Sequence, residues 1–450
     1  MHWAELAGRR VAVWGFGREG RAALNALARH LPAQSVALYC AVDEVDAARA
    51  AFPRVDVHGE APDADVLAGY DIVIKSPGIS AYKPEMLAAQ ASGTRFTSGT
   101  ALWFAAHTEV RTVAVTGTKG KSTTSALMAH LARSLGVRTA LAGNIGLPLL
   151  ELDDEQADLW VIELSSFQTS EAVGVGLGVV TSLYEEHLDW HGSRERYVDD
   201  KLKLLASSAQ VLVNALQPAL LSRAADHPGL HTFGDAAGWH VADGWIRRGG
   251  DDVARADSVS APGLHNAINA CAALAALEIA GLDARAAAPA LATFAPLPHR
   301  LQPLGEHDGL RWINDSISTT PLASLAALES VGAARTALIV GGHDRGLDWT
   351  PFVEAMQMHA PAAIICQGRS GVRIADALEA AGVASVWRAD DLAAAVSAAR
   401  HALGQDGVVV LSPGAPSFDQ FRDYAERGRR FAELAGFSPD MASIQGMGVA

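Results

Sequence analysis

The chain has 450 residues, which is too many for one hydrophobic core and predicts about three domains. Its formal net charge of −14 disfavours nucleic acid as a partner, and no apolar run approaches the ~20 residues that a membrane span needs. The opening stretch, MHWAELAGRRVAVWG, lacks a cleavable apolar signal. We therefore expect a globular cytoplasmic protein with no nucleic-acid partner and no membrane span.

Residues 1–108 alternate apolar strand patterns with helical stretches at 18–31 and 63–69, which predicts a Rossmann-like α/β domain. GFGREG at 15–20 has the G-x-G-x-x-G spacing, whose amides can bind a diphosphate at a helix N-terminus. KSPGIS at 75–80 offers a second glycine turn. Asp43 lies near the position of the acidic residue in dinucleotide sites, so an NAD-dependent oxidoreductase stays open. The glycines could equally serve only tight packing.

Residues 109–300 predict a central domain with a parallel sheet, a helix over 121–135 and hairpins near 238–260. The stretch AVTGTKGKSTTSAL resembles a P-loop, although position 115, where the first glycine is usual, holds valine. Lys121 would contact phosphate oxygens, the amides from Thr118 to Lys121 would surround them, and the Ser122 hydroxyl would bind Mg²⁺.

A glutamate and two histidines in this segment are candidates for a metal site. Glu163 ends the apolar strand of WVIELSSFQ, where it could either bind a metal ion or lie in solvent. His187 and His191 are four residues apart but lack the H-E-x-x-H order, so we expect a His that assists an Mg²⁺ site rather than zinc. Lys201 and Lys203, on the helix RYVDDKLKLLA, are by default ordinary solvated surface.

Residues 301–450 begin near the end of the proline-rich stretch FAPLPHRLQP, which is interpreted as a linker. Their pattern predicts a third α/β unit, again Rossmann-like. Strand patterns such as TALIVGG, AAIICQG and GVVVLSPG alternate there with helices near 351–357, 371–381 and 391–403. A long helix ends the segment. The linkers near 108 and 300 are expected hinges.

Eight motifs in a fixed order connect the three segments: TGTKGKSTT, GNIGLPLL, ELSSFQ, EEHLDWHGS, GLHNAINACAAL, PLPHR, WINDSISTTP and LSPGAPSFDQF. This set resembles the Mur ligases, which add amino acids to the UDP-N-acetylmuramoyl precursor of peptidoglycan. GNIG, ELSSFQ and SPGAPSFDQF resemble the glutamate-adding members. The resemblance implies that ATP phosphorylates the carboxylate of UDP-N-acetylmuramoyl-L-alanine and that the glutamate amine then attacks the acyl phosphate. It also implies a cell-wall biosynthetic role, and we expect a monomer.

The resemblance implies a site for each substrate. The expected ATP contacts are Thr118, Lys119, Gly120, Lys121, Ser122, Thr123, Asn269, Arg300 and Asp315. The expected contacts to the UDP substrate are Gly15, Arg18, Ser76, Pro77, Gly78 and Asn144. The expected glutamate contacts are Thr319, Arg345, Ser417, Phe418 and Tyr424. Two Mg²⁺ ions would be held by Ser122, Glu163, His187 and a carbamylated Lys201, and the catalytic residues would be Lys121, His187 and Lys201.

Three positions depart from the common D-glutamate-adding ligases. Where those enzymes have Asn, this chain has Lys119, and where they have Lys, it has Ile317 and Arg345. Ile317 removes a charge-assisted donor near the expected glutamate carboxylates, whereas Arg345 could bind a carboxylate with two hydrogen bonds. These changes resemble a less common branch that adds L-glutamate, so we favour L-glutamate over D-glutamate. The remaining alternatives are an NAD-dependent oxidoreductase, a P-loop switch NTPase, a sister ligase that adds diaminopimelate or lysine, and a folylpolyglutamate synthetase.

Overall fold

The computed structural model describes residues 1–184, 193–260, 263–295, 297–344, 346–439 and 447–450. The chain forms two compact units, Met1–Phe294 with Gly446–Ala450, and Ala295–Gln445. The first unit carries one parallel sheet, a second sheet of six parallel strands with a short antiparallel strand at its edge, and a small antiparallel sheet, and the second unit carries a single mixed sheet. The α/β prediction is therefore confirmed, whereas the division of the first unit at residue 108 stays a prediction.

The first sheet has the order β3-β2-β1-β4-β5, and all its strand pairs are parallel. Its strands are β1 (Val11–Trp14), β2 (Val36–Tyr39), β3 (Asp56–His58), β4 (Ile72–Lys75) and β5 (Arg95–Thr97). Its helices are α1 (Arg18–His30), α2 (Val45–Ala51), α3 (Ala64–Ala68), α4 (Pro84–Ala91) and α5 (Gly99–Ala106). The strand order reverses between β1 and β4, and ligands bind at such a switch point in open α/β sheets.

The second sheet has β11, β10, β9, β6, β8 and β7 in that order, all parallel. These strands are β6 (Thr112–Thr116), β7 (Thr139–Gly143), β8 (Leu159–Glu163), β9 (Val175–Val180), β10 (Ser208–Asn214) and β11 (Leu230–Phe233). The helices described in this part are α6 (Lys121–Ser134), α7 (Arg194–Ala206), α8 (Pro218–Ala224), α9 (Leu264–Ile279) and α10 (Ala284–Ala287). Since β6, β7 and β8 are parallel neighbours, the P-loop, Asn144 and Glu163 all emerge at one edge of this sheet.

Two smaller features complete the first unit. The strands β12 (Trp239–Ala242), β13 (Trp245–Arg248) and β14 (Asp251–Arg255) form the predicted antiparallel hairpins. Asp243 and Gly244 both have positive φ, as a two-residue type I′ turn requires. Near the C-terminal end of the chain, the strand Gly448–Val449 pairs antiparallel with β7.

The second unit has the sheet order β15-β16-β20-β17-β18-β19, and only the β15–β16 pair is antiparallel. Its strands are β15 (Gln302–His307), β16 (Leu310–Asn314), β17 (Thr336–Val340), β18 (Ala363–Gln367), β19 (Val386–Ala389) and β20 (Gly407–Leu411). Its helices are α11 (Pro321–Val331), α12 (Thr350–Met358), α13 (Gly368–Ala380), α14 (Leu392–Leu403) and α15 (Tyr424–Ala435). Within the described residues, no helix is long and apolar enough to cross a membrane.

Candidate active site

The loops after β1 and β4 meet at the switch point of the first sheet. Gly15 has φ +102°, and a Cβ built there would lie 2.5 Å from Ser76 Oγ, so the turn requires glycine. A Cβ on Gly20 would lie 1.9 Å from the Gly15 carbonyl oxygen, which shows that GFGREG also serves close packing. Ser76 Oγ is buried and has no hydrogen-bond partner among the described residues. A substrate oxygen would satisfy it.

Arg18 connects this switch point to the second sheet. Its Nη1 donates to the Gly146 carbonyl oxygen at 3.0 Å, so the start of α1 lies beside the loop that follows β7. That loop carries Asn144. The structure thus brings together five of the positions expected to contact the UDP substrate: Gly15, Arg18, Ser76, Pro77 and Asn144. Gly78 is exposed at the tip of the turn after β4.

The loop between β6 and α6 depends on two glycines. Gly120 has φ +85°, and a Cβ there would lie 2.4 Å from Asn269 Oδ1, which places this α9 side chain directly against the loop. A Cβ on Gly117 would lie 2.0 Å from Thr181 Oγ1. Lys121, Ser122 and Thr123 form the first turn of α6, as expected, and both hydroxyl residues are buried.

The hydrogen bonds correct one expectation about this loop. The Thr118 amide donates to the Ser182 carbonyl oxygen at 2.9 Å, and the Lys119 amide donates to Ser182 Oγ at 2.7 Å. Two of the four amides predicted to surround a phosphate are therefore engaged within the protein. Phosphate contacts would come from Gly120 onward, at the N-terminus of α6, where the helix dipole favours an anion.

The Thr118 hydroxyl connects the P-loop to α7. Thr118 Oγ1 and the Tyr197 hydroxyl are 2.8 Å apart, and Thr118 Oγ1 also bonds the backbone of Tyr184. Lys201 lies one turn further along α7, with its Nζ 5.1 Å from the centre of the Tyr197 ring. Lys201 is only 2% exposed, so the default interpretation as solvated surface is wrong for it, whereas the Lys203 side chain is half exposed.

Glu163 ends β8 and is 1% exposed. The Asn144 side-chain amide donates to Glu163 Oε1 at 2.6 Å, whereas Oε2 is buried without a hydrogen-bond partner among the described residues. The alternative that Glu163 lies in solvent is therefore wrong. A buried carboxylate oxygen needs compensation, and oxygen donors suit Mg²⁺, so this site fits a divalent cation. The expected second ligand, His187, lies outside the described residues.

A buried acid–base cluster beneath the first switch point was not expected from the sequence. Lys75 Nζ lies 3.6 Å from Glu171 Oε1, and Ser98 Oγ donates to Glu171 Oε2 at 2.6 Å. Burial raises the pKa of Glu171 despite the lysine. The pKa of Glu19, in the first turn of α1, is raised to about 7, mainly by burial and then by the carboxylates of Glu171 and Glu151.

In the second unit, the PHR turn is built against Asp315. Leu301 N donates to Asp315 Oδ1 at 3.1 Å, and Ser412 Oγ donates to Asp315 Oδ2 at 2.7 Å. His299 and Leu301, on either side of Arg300, both have positive φ (62° and 45°). Such backbone strain is typical of functional turns. The structure therefore brings Arg300 and Asp315, both expected ATP contacts, into one small cluster.

Of the expected glutamate residues, Thr319, Ser417 and Phe418 lie on loops and Tyr424 begins α15. A buried arginine that was not expected from the sequence contacts the segments beside them. Ser417 is buried, Phe418 is 58% exposed and Thr319 is exposed, while Arg345 lies outside the described residues. The buried Arg427 of α15 donates to the carbonyl oxygens of Ser316, Ala415 and Pro416, and to Ser316 Oγ. The Ser316 hydroxyl in turn donates to the Tyr424 carbonyl oxygen at 2.7 Å. Burial lowers the pKa of Arg427 to about 10, so the guanidinium stays charged at neutral pH.

Comparison with known proteins gives the same assignment along the whole chain. Residues 115–277 match the Mur ligase middle domain and residues 299–415 match the Mur ligase, glutamate ligase domain. The chain is 50% identical over 469 residues, covering 100% of both chains, to UDP-N-acetylmuramoyl-L-alanine--L-glutamate ligase of Xanthomonas campestris pv. campestris (strain 8004). The chain belongs to the Mur ligase family. A Mur ligase with the same name from Micromonospora sp. is 40% identical over 96% of this chain and 98% of its own.

Solved structures of Mur ligases share the fold. UDP-N-acetylmuramate-alanine ligase from Thermotoga maritima aligns with a TM-score of 0.62 at 20% identity, covering 94% of this chain and 98% of that one. The MurF ligase from Thermotoga maritima in complex with ADP aligns with a TM-score of 0.58 at 14% identity, covering 91% and 96%. Mur ligases are ATP-dependent, ADP-forming ligases, so GFGREG does not mark an NAD-dependent oxidoreductase, and the P-loop is not that of a switch NTPase.

Proposed function

We propose that this Mur ligase joins L-glutamate to UDP-N-acetylmuramoyl-L-alanine and converts ATP to ADP and phosphate. The observation that carries the proposal is the 50% identity, over the full length of both chains, to a ligase named for L-glutamate. The departures at Ile317 and Arg345 support the same substrate, because both positions lie where the glutamate carboxylates are expected and both differ from the lysines of the D-glutamate-adding ligases.

The reaction needs an activated carboxylate, since a free carboxylate has no leaving group. The γ-phosphoryl group of ATP is transferred to a carboxylate oxygen of the alanine residue, and ADP leaves. The glutamate amine then forms a C–N bond to the acyl carbon, the C–O bond to phosphate breaks, and the amine loses a proton. Lys121, in the first turn of α6, would neutralise charge on the transferred phosphoryl group.

The residues around Glu163 would hold Mg²⁺. Glu163 Oε2 and the buried Ser122 hydroxyl are oxygen donors at one edge of the second sheet, and His187 and a carbamylated Lys201 would complete the set. When bound, Mg²⁺ neutralises phosphate oxygens during phosphoryl transfer. The burial of Lys201 supports carbamylation, because a lysine is rarely buried as a cation and the carbamate is an anion suited to a metal.

The other proposed contacts divide between the two units. Gly15, Arg18, Ser76 and Asn144 would orient the UDP substrate, and Asn269 would contact ATP beside Gly120. In the second unit, Arg300 and Asp315 would contact the nucleotide, and Ser417, Phe418 and Tyr424 would bind glutamate. We propose that the enzyme acts as a monomer in the cytoplasm, where ATP and UDP-activated precursors are available.

A ligation assay tests the proposal. The purified chain is incubated with UDP-N-acetylmuramoyl-L-alanine, ATP and Mg²⁺ together with enantiopure L-glutamate or D-glutamate, and the product is identified by mass spectrometry. We expect L-glutamate to be ligated at least about tenfold faster, a difference of about 1.4 kcal/mol in transition-state stability. Preference for D-glutamate would overturn the stereochemistry. No product with either enantiomer, while diaminopimelate or lysine is ligated, would overturn the glutamate assignment.

A further inference from the structure

The loop over residues 76–83, which follows β4, is held at both ends by contacts to the segment after β8 and to α7. Just before the loop, at the end of β4, Lys75 Nζ lies 3.6 Å from Glu171 Oε1, in the segment that follows β8. Near its end, the Tyr82 hydroxyl donates to the side chain of Asp200 on α7. Between these two contacts lie Ser76, Pro77 and Gly78, the proposed contacts to the UDP substrate.

Several neighbouring side chains hold Tyr82 and Asp200 in their positions. The Tyr82 oxygen lies 2.8 Å from both Asp200 Oδ1 and Oδ2, and Lys203 Nζ lies 2.7 Å from Oδ1. Thr169 Oγ1 donates to the Asp200 carbonyl oxygen at 2.7 Å, and the Arg196 guanidinium covers the Tyr82 ring at 4.4 Å from its centre. Asp200 is only 4% exposed. Because a buried carboxylate is costly unless hydrogen-bonded, this arrangement fixes the position of Asp200.

Asp200 directly precedes Lys201 in the same helical turn. A displacement of the Asp200 backbone therefore displaces Lys201 as well, since a helix moves as a rigid element. On the other side of the hydrogen bond, Tyr82 lies four residues after Gly78. A contiguous path of covalent bonds and one charge-assisted hydrogen bond thus joins the loop that would bind the UDP substrate to the lysine of the proposed metal site.

We infer that Tyr82 and Asp200 are positioning residues that connect binding of the UDP substrate at residues 76–78 to the placement of Lys201. This inference rests on the proposed function, because it takes from it the roles of residues 76–78 and of Lys201. Substrate bound at residues 76–78 would restrain the loop, and Tyr82 would pass this restraint to Asp200 and α7 through the hydrogen bond already present. The substitution Tyr82→Phe keeps the ring against Arg196 but removes the hydroxyl that donates to Asp200.

Hydrogen–deuterium exchange of the full chain, with and without UDP-N-acetylmuramoyl-L-alanine, tests the connection without turnover. We expect the substrate to slow exchange in peptides from 194–206 by about fivefold or more in the wild type and to leave it nearly unchanged in Tyr82→Phe. Tyr70→Phe is the matched control, because the Tyr70 hydroxyl bonds only the Tyr39 hydroxyl, at 2.9 Å, among the contacts described for it. It should behave as the wild type.

Kinetics give a second readout. Tyr82→Phe should lower kcat about tenfold, as expected for loss of one charge-assisted hydrogen bond, while KM for the UDP substrate changes less than about threefold. Asp200→Asn should have a similar effect, and the double variant should be no slower than either single variant. Wild-type exchange and kcat in Tyr82→Phe would overturn the inference and leave the ligase assignment intact. If calorimetry shows no binding of the UDP substrate to the wild-type chain, the proposed function fails and the inference fails with it.

Discussion

The Asn144 side-chain amide donates to Glu163 Oε1 at 2.6 Å and thereby fixes the orientation of a carboxylate whose second oxygen is buried without a partner among the described residues. Two neighbouring strands supply this pair, since Gly143 at the end of β7 is in register with Glu163 at the end of β8. Asn144 is thus both an expected substrate contact and the residue that orients a proposed metal ligand. The GNIG motif and the ELSSFQ motif act as one structural element.

Glu163→Gln should lower the ligation rate by about 100-fold or more and raise the Mg²⁺ concentration needed for half-maximal rate. The substitution keeps the shape of the side chain and removes the negative charge, so the fold should be unaffected. The measurement is ADP release as a function of Mg²⁺ concentration, with the melting temperature as a check on folding. Glu155→Gln, at an exposed position, is the control. A wild-type Mg²⁺ response in Glu163→Gln would contradict the metal site.

Lys201→Ala should abolish ligation and regain part of it when formate or acetate is added. Removing a side chain that is 2% exposed leaves a cavity beside Tyr197, and a small carboxylate can occupy it in place of a carbamate. The rate is measured with increasing concentrations of each acid, and the wild type under the same conditions is the control. Absence of rescue, together with an NMR spectrum in isotope-labelled bicarbonate that shows no carbamate on the wild type, would argue against the modification.

Glu19→Gln should stabilise the protein at neutral and alkaline pH but not in acid. The pKa of Glu19 rises from 4.5 to about 7 in the folded protein because of burial and the nearby Glu171 and Glu151. The folded state therefore binds the proton more tightly than the unfolded chain, so ionisation opposes folding. Stability falls as the pH rises from about 4.5 through about 7, and the whole penalty is present above that range.

The gain from Glu19→Gln at about pH 8 is at most about 3.5 kcal/mol, since the pKa rises from 4.5 to about 7 and one pKa unit corresponds to about 1.4 kcal/mol. The measurement is the melting temperature of wild type and variant between about pH 5 and pH 8, with the two curves expected to converge in acid. Glu109→Gln, on an exposed side chain, should give a curve parallel to the wild type. A constant gain at every pH would show that charge on Glu19 is not the cause.

Local patterns in the sequence were sufficient to predict much of the fold. The helix predicted over 121–135 is α6, Lys121–Ser134, because a glycine turn begins it and apolar residues continue it. The hairpins predicted near 238–260 are present, and the Asp-Gly dipeptide at 243–244 forms one of their turns. The similar dipeptide Asp308–Gly309, also with positive φ at both residues, joins β15 to β16, and this hairpin was not predicted although the same turn signal is present in the sequence.

The side-chain environments that were not predicted are those whose surroundings come from distant parts of the chain. Lys201 has the sequence neighbours of a surface helix, and only the packing of α7 buries it. Arg427 stands among charged residues in YAERGRRF, while its acceptors belong to residues 316, 415 and 416. A local signal for that close packing was the next residue, Gly428, where a Cβ would lie 2.0 Å from His299 Nδ1.

Arg427→Lys should raise KM for L-glutamate about tenfold or more while changing KM for the UDP substrate less than about twofold, because it disturbs two loops of the second unit. The guanidinium donates from Nε, Nη1 and Nη2 to Ser316, Ala415 and Pro416, and a lysine ammonium on a single atom cannot reach all of these acceptors. The unsatisfied carbonyl groups should also lower the free energy of unfolding by about 2 to 4 kcal/mol.

Arg430→Lys is the control for this substitution, since Arg430 lies on the same helix with a half-exposed side chain paired to Glu433. Initial rates are measured with each substrate varied in turn, and denaturation gives the stability of both variants. Equal loss of affinity for every substrate would indicate general unfolding of the unit. A wild-type KM for L-glutamate in a folded Arg427→Lys variant would show that the loops at 316 and 415–417 do not form the glutamate site.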